Sequence, residues 1–437
     1  MDQQLKLVIV GGASVYVPLF IQNLISKSKE FKTSEIWLLD DEDKKDKMNI
    51  VEGFSNRLLK KHKLDTKVYA TDDYKLALKD AQFVFSILGL EKDDHDLAEE
   101  KILYEHNMLA DDLFGMKSSF KALRIVPKIY QLIEHMNEFC EQAWLINLSQ
   151  PMGIISEAVF RYAETDKYLG ISNIPSDMNQ CFAKALGTKP NKLVVCAAGL
   201  SPMSFMTNVF QNQKDRLKEL LDEVGSEENA CFWSSTFLDD LGVFPSIDLK
   251  KVYYYEDVHQ IFMDNYKNKH SVCQQDLRDQ DKLMTVYQDQ QNELCTKDML
   301  EHKYMEDFKK AIDLISSIIL DKRDYQVINT INNGHIMDIE EGAAIEVTAR
   351  ITKDGPMPVH ISRLPNQVKG LLQHLKAFEQ LLADAIYEKD LNKASLAIKS
   401  HPLMYNIREI DQAFHTFKLM NEKALAYFIK GDIHEII

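Results

Sequence analysis

The sequence has no excess of positive charge. Its 52 Lys and Arg face 67 Asp and Glu, a formal charge of −15. Nucleic-acid binding is driven by basic side chains that displace counterions from phosphates, so no nucleic-acid partner is expected. The sequence also has no C-x-x-C pair. Its six cysteines, Cys140, Cys181, Cys196, Cys231, Cys273 and Cys295, are widely spaced. That argues against a zinc knuckle and a disulfide framework, and makes free thiols in a reducing, cytoplasmic compartment the expectation. No apolar run has the length and continuity of a membrane span. The uncharged stretch Leu193 to Gln213 is interrupted by Ser201-Pro202 and ended by Asn208, Gln211, Asn212 and Gln213, so a buried strand, a turn and a second apolar segment are expected there. The opening MDQQLKLVIVGG has an acid at position 2, a short apolar run and no small-residue cleavage site, and reads as a first strand rather than a signal peptide. Low-complexity tails and short internal repeats are missing too.

What is there is a globular composition, 45% hydrophobic and 27% charged, in 437 residues. That length suits two domains. In the first half, strand-like runs at Leu5–Val10, Glu35–Asp40, Lys67–Ala70, Phe83–Leu88, Ala143–Leu148 and Tyr168–Ser172 alternate with helix-like stretches such as Lys44–Lys61 and Arg124–Glu138. Apolar strands without strict alternation, separated by helices, predict a parallel sheet covered on both faces. Residues 1–191 are therefore expected to form a doubly wound, Rossmann-type α/β domain. From about Lys192 the rhythm changes: KLVVCAAGL reads as a buried strand, Gln213 to Lys310 is polar and helix-rich, and residues 342–361 read as a strand, a Lys353-Asp354-Gly355 turn and a second strand. Apolar residues at three- and four-residue spacing run from Asn366 onward. Residues 192–437 are expected to be an α+β domain ending in helices, with substrate-binding and oligomerisation roles.

LVIVGGASVYVP places Gly11 and Gly12 directly after the first strand and a helix directly after them. Glycines permit close backbone approach, and the N–H groups at a helix start attract a pyrophosphate. The pattern is not G-x-G-x-x-G, so a plain glycine turn joining strand to helix stands as the alternative. Asp40, at the end of the second strand, could accept bonds from ribose hydroxyls. Asp41, Glu42 and Asp43 follow it; such a carboxylate run repels a 2′-phosphate and predicts NAD rather than NADP. The same run, with Lys44 and Lys45 after it, is also what a solvated loop looks like.

In order along the chain, GGASVYVP, SEIWLLD, ALKDAQFV, AWLINLSQPMG, ISNIPSDM, AAGLSPMSF, AIDLISSIILDK, INNGHI and ITKDGPMPV resemble stretches of glycoside hydrolase family 4, the NAD-dependent 6-phosphoglycosidases and their relatives. The resemblance covers both halves. It implies a reaction unlike the paired-carboxylate hydrolysis of most glycosidases: hydride passes from the sugar's C3 to bound NAD, a tyrosine takes the C2 proton, a divalent metal polarises the ketone, the aglycone leaves, water adds, and the hydride returns. It assigns the cofactor to Gly11, Gly12, Ala13, Ser14, Val15, Tyr16 and Asp40, with Ala13 standing where the family has glycine. If the chain is such a glycosidase, Asn147, Gln150 and Asn173 are expected to hold sugar hydroxyls.

Other family positions are changed. The family's Cys and His metal ligands align with Ser172 and Pro202, so Mn²⁺, expected from the family, is predicted to be absent or weakly held. The tyrosine base aligns with Asp248, followed by Lys250 and Lys251, and a shifted alignment offers Tyr253, Tyr254 or Tyr255. Ile87 and Asp93 replace phosphate-binding arginines, which puts a 6-phosphate in question unless Lys92 or Lys250 serves, and would suit an uncharged or cationic substrate beside Asp93, Asp94 and Asp96. Of the histidines, His95, His106, His302 and His335 stand nearest the expected pocket, and no pair has metal-ligand spacing. Three readings follow: a family glycosidase of 6-phospho-β-glucosidase type with a variant site, in which Lys250 or Lys251 replaces the metal and Asp248 acts at C2; a non-catalytic NAD- or sugar-binding descendant; and a plain NAD-dependent sugar dehydrogenase. A small carbohydrate partner and a homo-oligomer are implied by the resemblance, and no membrane partner is expected.

Overall fold

A computed structural model describes residues 4–171, 174–224, 233–289, 297–361 and 363–428. Its frame is one sheet of thirteen strands. The first six, β1 (Leu5–Val10), β2 (Thr33–Leu39), β3 (Lys67–Thr71), β4 (Phe83–Ser86), β5 (Trp144–Asn147) and β6 (Tyr168–Ile171), are parallel in the order β3-β2-β1-β4-β5-β6. This is the doubly wound order, with its switch point between β1 and β4. Val8 lies beside Trp37 on one side and Val84 on the other. Because both faces are covered, β1 and β4 are apolar almost throughout, as the absence of alternation predicts.

The second half extends the same sheet in antiparallel fashion. β7 (Leu193–Leu200), β8 (Met203–Gln211), β9 (Lys214–Asp215), β10 (Phe244–Pro245), β11 (Tyr325–Ile331), β12 (Ala344–Thr352) and β13 (Gly355–Pro358) complete it. β11 pairs with β6 through Ile328–Ile171, and β12, β7, β8 and β10 follow outward, with β13 on β12 and β9 on β8. The uncharged Leu193–Gln213 stretch is thus the β7–β8 hairpin, turning at Ser201-Pro202. Among the described residues no helix is long and apolar enough to cross a membrane.

Helices cover the sheet. On one face Val17–Ser26 packs with Tyr304–Leu320, and the Phe20 ring meets Phe85 at 4.7 Å and Phe308 at 5.7 Å, both edge-on. Such fully buried aromatic side chains each stabilise the fold by roughly 1.5–3 kcal/mol. On the other face lies Gly115–Phe139, with Phe120 against Phe414 and Phe417 of the C-terminal helix Ile407–Met420. This helix begins at Gly115, well before the expected Arg124. Its first turns carry Lys117, Ser118, Ser119 and Lys121, all buried, and buried polar residues are invisible to a count of apolar spacing. Ser118 and Ser119 are satisfied by donating to Gly115 O at 2.9 and 2.7 Å.

The expectation of free thiols needs one correction. Cys140, Cys196 and Cys273 are free, but Cys181 is bonded in a disulfide. Wide spacing in sequence does not keep cysteines apart in a folded chain.

Candidate active site

The glycine loop follows β1 directly. Gly11 sits in the left-handed region at φ 91°, and the N–H groups of Gly11 and Gly12 both donate to Leu39 O at 3.0 Å. A Cβ on Gly12 would lie 2.7 Å from both Leu38 Cβ and the Leu39 nitrogen, so the approach to β2 requires glycine. Ser14 N–H turns back to Gly11 O at 3.0 Å, and the helix Val17–Ser26 begins three residues on. Two loop donors are taken by carboxylates. Ala13 N–H donates to Asp40 Oδ2 at 3.0 Å, and Val15 N–H donates to Glu91 Oε1 at 2.6 Å. Each carboxylate has a lysine on its other oxygen: Lys44 on Asp40 at 2.7 Å and Lys47 on Glu91 at 2.6 Å. Asp41 resists burial by pairing with Lys128 and Lys44, which hold it below its ordinary value. A left-handed glycine turn, a helix start and a carboxylate at the end of β2 form a cradle that fits a dinucleotide, once Val15 N–H is released. Tyr16 has a different role. It is wholly buried, its hydroxyl donates to Gln280 Oε1 at 3.1 Å, and its ring packs 5.1 Å from His302 and 4.6 Å from Tyr304.

Beyond the switch point lies a cavity of about 650 Å³, lined in part by Gly89 and Leu148 from the segments that follow β4 and β5. Its floor is cationic. Lys92, Lys117 and Lys121 are each at most 5% exposed and converge on one carboxylate, Asp112: Lys92 directly, Lys117 at 3.2 Å and Lys121 at 3.3 Å. Lys92 comes from the segment after β4, and the other two lie one turn apart on Gly115–Phe139. Burial, then repulsion from Lys121 and Lys117, pushes Lys92 well below the ordinary lysine value, and burial lowers Lys121 as well. Lys117 moves up: burial opposes its charge, but Asp96 and nearby groups outweigh it. Asp96 is itself held at about 2; burial disfavours its charge and the three lysines more than offset that.

On the cavity wall Lys251 stands between two carboxylates, Asp111 at 2.8 Å and Asp248 at 2.7 Å. Burial opposes its charge, yet these carboxylates raise it above the ordinary lysine value. Asp111 Oδ1 also accepts from the Leu113 and Phe114 N–H groups at 2.8 and 3.2 Å, which fixes it. Lys250 is one residue away but on another side of the turn, 5.8 Å from the Trp233 ring centre, and does not line the cavity.

The other expected residues divide. Gln150 and Pro202 line the cavity. Pro202 offers a carbonyl, and that carbonyl already accepts from Ser246 Oγ at 3.1 Å. Asn147 does not line it: the residue is fully buried, with its amide turned to Ser149 O at 3.3 Å, Met152 Sδ at 3.2 Å and Ser149 N–H at 3.2 Å. It shapes the turn after β5. Ser172 and Asn173 lie outside the described residues. Asp93 is not beside the cavity either; it caps the helix Asp94–Glu105, its side chain accepting from Asp96 N–H in a capping box. The carboxylates that do line the cavity, Glu100, Asp111, Asp112, Asp248, Glu301, Glu306 and Asp307, stand beside Lys92, Lys117, Lys121, Lys251 and Lys303, so its lining carries both signs. Tyr253 and Tyr254 pack on Trp233 and Tyr255 stacks on His259; the tyrosine that lines the cavity is Tyr304. Of the histidines His302 lines it, while His95 bonds Asn421 at 2.9 Å and His106 bonds Glu409 at 2.7 Å. His335 is absent from the lining. Sequence reading passed over Lys117 and Lys121, although two lysines one turn apart in FGMKSSFKALRIVP, a largely apolar run, were a signal.

Comparison with known proteins matches both halves. Residues 6–188 match the family described as Family 4 glycosyl hydrolase, and residues 197–404 its C-terminal domain. A Bacillus subtilis (strain 168) protein named "Probable 6-phospho-beta-glucosidase" is 31% identical over 415 residues, 92% of this chain and 93% of that one. The 6-phospho-beta-glucosidase of Escherichia coli (strain K12) is 28% identical over 98% of each chain. The Thermotoga maritima 6-phospho-beta glucosidase, solved with manganese, NAD+ and glucose-6-phosphate, superposes with a TM-score of 0.84 at 20% identity, covering 96% of this chain and 99% of the other.

Proposed function

Because the chain belongs to glycosyl hydrolase family 4, we propose that it hydrolyses a 6-phospho-β-glycoside through NAD-dependent oxidation and elimination, with lysines in place of the family's arginines and metal. The observation that carries this reading is the convergence of Lys92, Lys117 and Lys121 on a single carboxylate in the cavity floor. A phosphate dianion in the place of the Asp112 carboxylate would meet the same three lysines, with Asp96 left as their remaining partner. The substrate phosphate would displace Asp112, and Gln150 would take a sugar hydroxyl at the cavity wall.

When bound, NAD would supply reversible hydride acceptance at C3. The glycine loop from Gly11 to Val15 would hold its pyrophosphate, and Asp40 its adenosine ribose. Asp248 would take the proton from C2. Lys251, kept protonated by Asp111 and Asp248, would place an ammonium at the C3 oxygen, where negative charge develops as C2 loses its proton. Asp111, pinned by two N–H groups, is a positioning residue for Lys251. The Cys/His metal pair has no counterpart in this scheme: Pro202 has no side-chain donor, so no step is assigned to Mn²⁺.

The test is deuterium wash-in at C2 when the protein is incubated in D₂O with NAD and a 6-phospho-β-glucoside. Wash-in is expected with the phosphorylated glycoside and not with its free counterpart. No wash-in with any phosphorylated glycoside would sink the reading. Net NADH accumulation would select a plain dehydrogenase, and NAD binding with neither signal a non-catalytic descendant.

A further inference from the structure

We propose that Glu91 is a resident anion of the glycine loop: its carboxylate holds the place of the cofactor's pyrophosphate and must be exchanged for it when NAD binds. The inference rests on the NAD reading above. Val15 N–H lies in the last turn before the helix Val17–Ser26, where the helix's positive pole and unpaired donors favour an anion. At 2.6 Å, Glu91 Oε1 already occupies that donor. One N–H at this distance cannot also serve a phosphate oxygen, and two like charges cannot share the helix start.

The surroundings suit an exchange. The Glu91 and Lys47 side chains are 24% and 35% exposed, so their ion pair opens into water at small cost. The backbone beside Glu91 is pinned. Lys92 N–H donates to Gln280 Oε1 at 2.8 Å, Gln280 Nε2 donates to Lys92 O at 2.7 Å, and the same amide oxygen takes the Tyr16 hydroxyl. Tyr287 closes the other side of the loop, donating to Val15 O at 2.8 Å. Gln280 and Tyr287 lie on one helix, Val272–Gln288. Loop and Lys92 segment are thus held together while the Glu91 side chain alone swings. Its departure leaves Lys47 an unpaired cation beside the loop, available to the incoming pyrophosphate. Glu91 keeps the loop ordered without cofactor and weakens every ligand that carries a phosphate there.

Calorimetric titration of the full chain with NAD, ADP-ribose and adenosine tests this in wild type, Glu91→Gln and Glu91→Ala. For Glu91→Ala, NAD and ADP-ribose should bind about tenfold more tightly, the equivalent of one charge-assisted bond no longer displaced. Glu91→Gln, which keeps an acceptor without the charge, should fall between. Adenosine, lacking phosphate, should bind all three proteins equally. Melting of the ligand-free proteins checks that each variant folds, and the NAD-induced rise in Tm should be larger in both variants. Equal or weaker NAD binding in the variants overturns the proposal. If NAD and ADP-ribose bind none of the three proteins, the NAD reading itself fails and this inference with it.

Discussion

The glycine loop and the lysine floor each hold a carboxylate of the chain itself, yet they draw their positive charge from different sources. At the loop it comes from backbone: Val15 N–H at a helix start, held by the geometry of Gly11 and Gly12. At the floor it comes from the side chains of Lys92, Lys117 and Lys121, brought from two separate elements. Glu91 sits on the first with a half-open lysine behind it; Asp112 sits on the second among lysines almost removed from water. A backbone site depends on shape and tolerates little change in bulk. A side-chain site depends on charge and tolerates little change in sign.

The largest expected effect separates them by charge. Lys121→Met should weaken glucose 6-phosphate binding by about 2–4 kcal/mol, or about 30- to 700-fold, because it truncates one partner of a buried charge cluster; NAD affinity, measured in the same titration, should stay the same. Equal loss of both ligands would mean that the two places are one. Next comes shape. Gly12→Ala forces a Cβ to within 2.7 Å of Leu38 and the Leu39 backbone, and should destabilise the fold by about 1–3 kcal/mol. Its Tm should fall and NAD binding weaken, while glucose 6-phosphate affinity is retained.

A smaller difference lies in pH. The dianion needs Lys92 as ammonium, but burial and its lysine neighbours place Lys92 well below the ordinary lysine value. Above about pH 7, where a phosphate monoester is already doubly charged, glucose 6-phosphate affinity should be greatest on the acid side and be lost as pH rises through the lowered Lys92 value. Backbone N–H groups do not titrate, so ADP-ribose affinity should not follow that curve. The smallest effect is that of salt. Raising ionic strength from about 0.1 to 1 M shortens the screening length from about 10 to 3 Å. It should change the NAD affinity difference between wild type and Glu91→Ala by about threefold at most, through the partly exposed Lys47–Glu91 pair, and alter glucose 6-phosphate binding less, since the floor lysines are buried.

How legible these places were in the chain follows the same division. β1, the two glycines and Asp40 could be read directly, because a strand, a tight turn and a helix start are local events within forty residues, with strict steric demands at each step. The doubly wound sheet was legible for a similar reason: strands covered on both faces must be apolar throughout. Lys92 is legible in the sequence as a candidate phosphate ligand, but Lys117 and Lys121 are not, because they stand 25 and 29 positions away and meet it only at Asp112 in the folded chain. Asp93, a pocket acid by its place in the sequence, is a helix cap in the structure, a role set by the N–H groups that the helix leaves free.

Pattern along the chain, then, settles which segments become strands, which turns demand glycine and where a helix starts, since these depend on neighbours a few residues away. It carries a family resemblance for the same reason, in short ordered stretches. It does not settle which of two adjacent lysines faces a cavity. Lys250 and Lys251 differ by one step of a helical turn, about 100°, and only packing against Trp233 on one side and Asp111 on the other assigns the first to an aromatic ring and the second to the site. Nor does it settle whether an amide such as Asn147 points into a pocket or back into its own turn. The first choice rests on long-range contacts, which exist only once the sheet has closed around them; the second rests on how the chain folds back after β5, where Ser149 and Met152 take the amide.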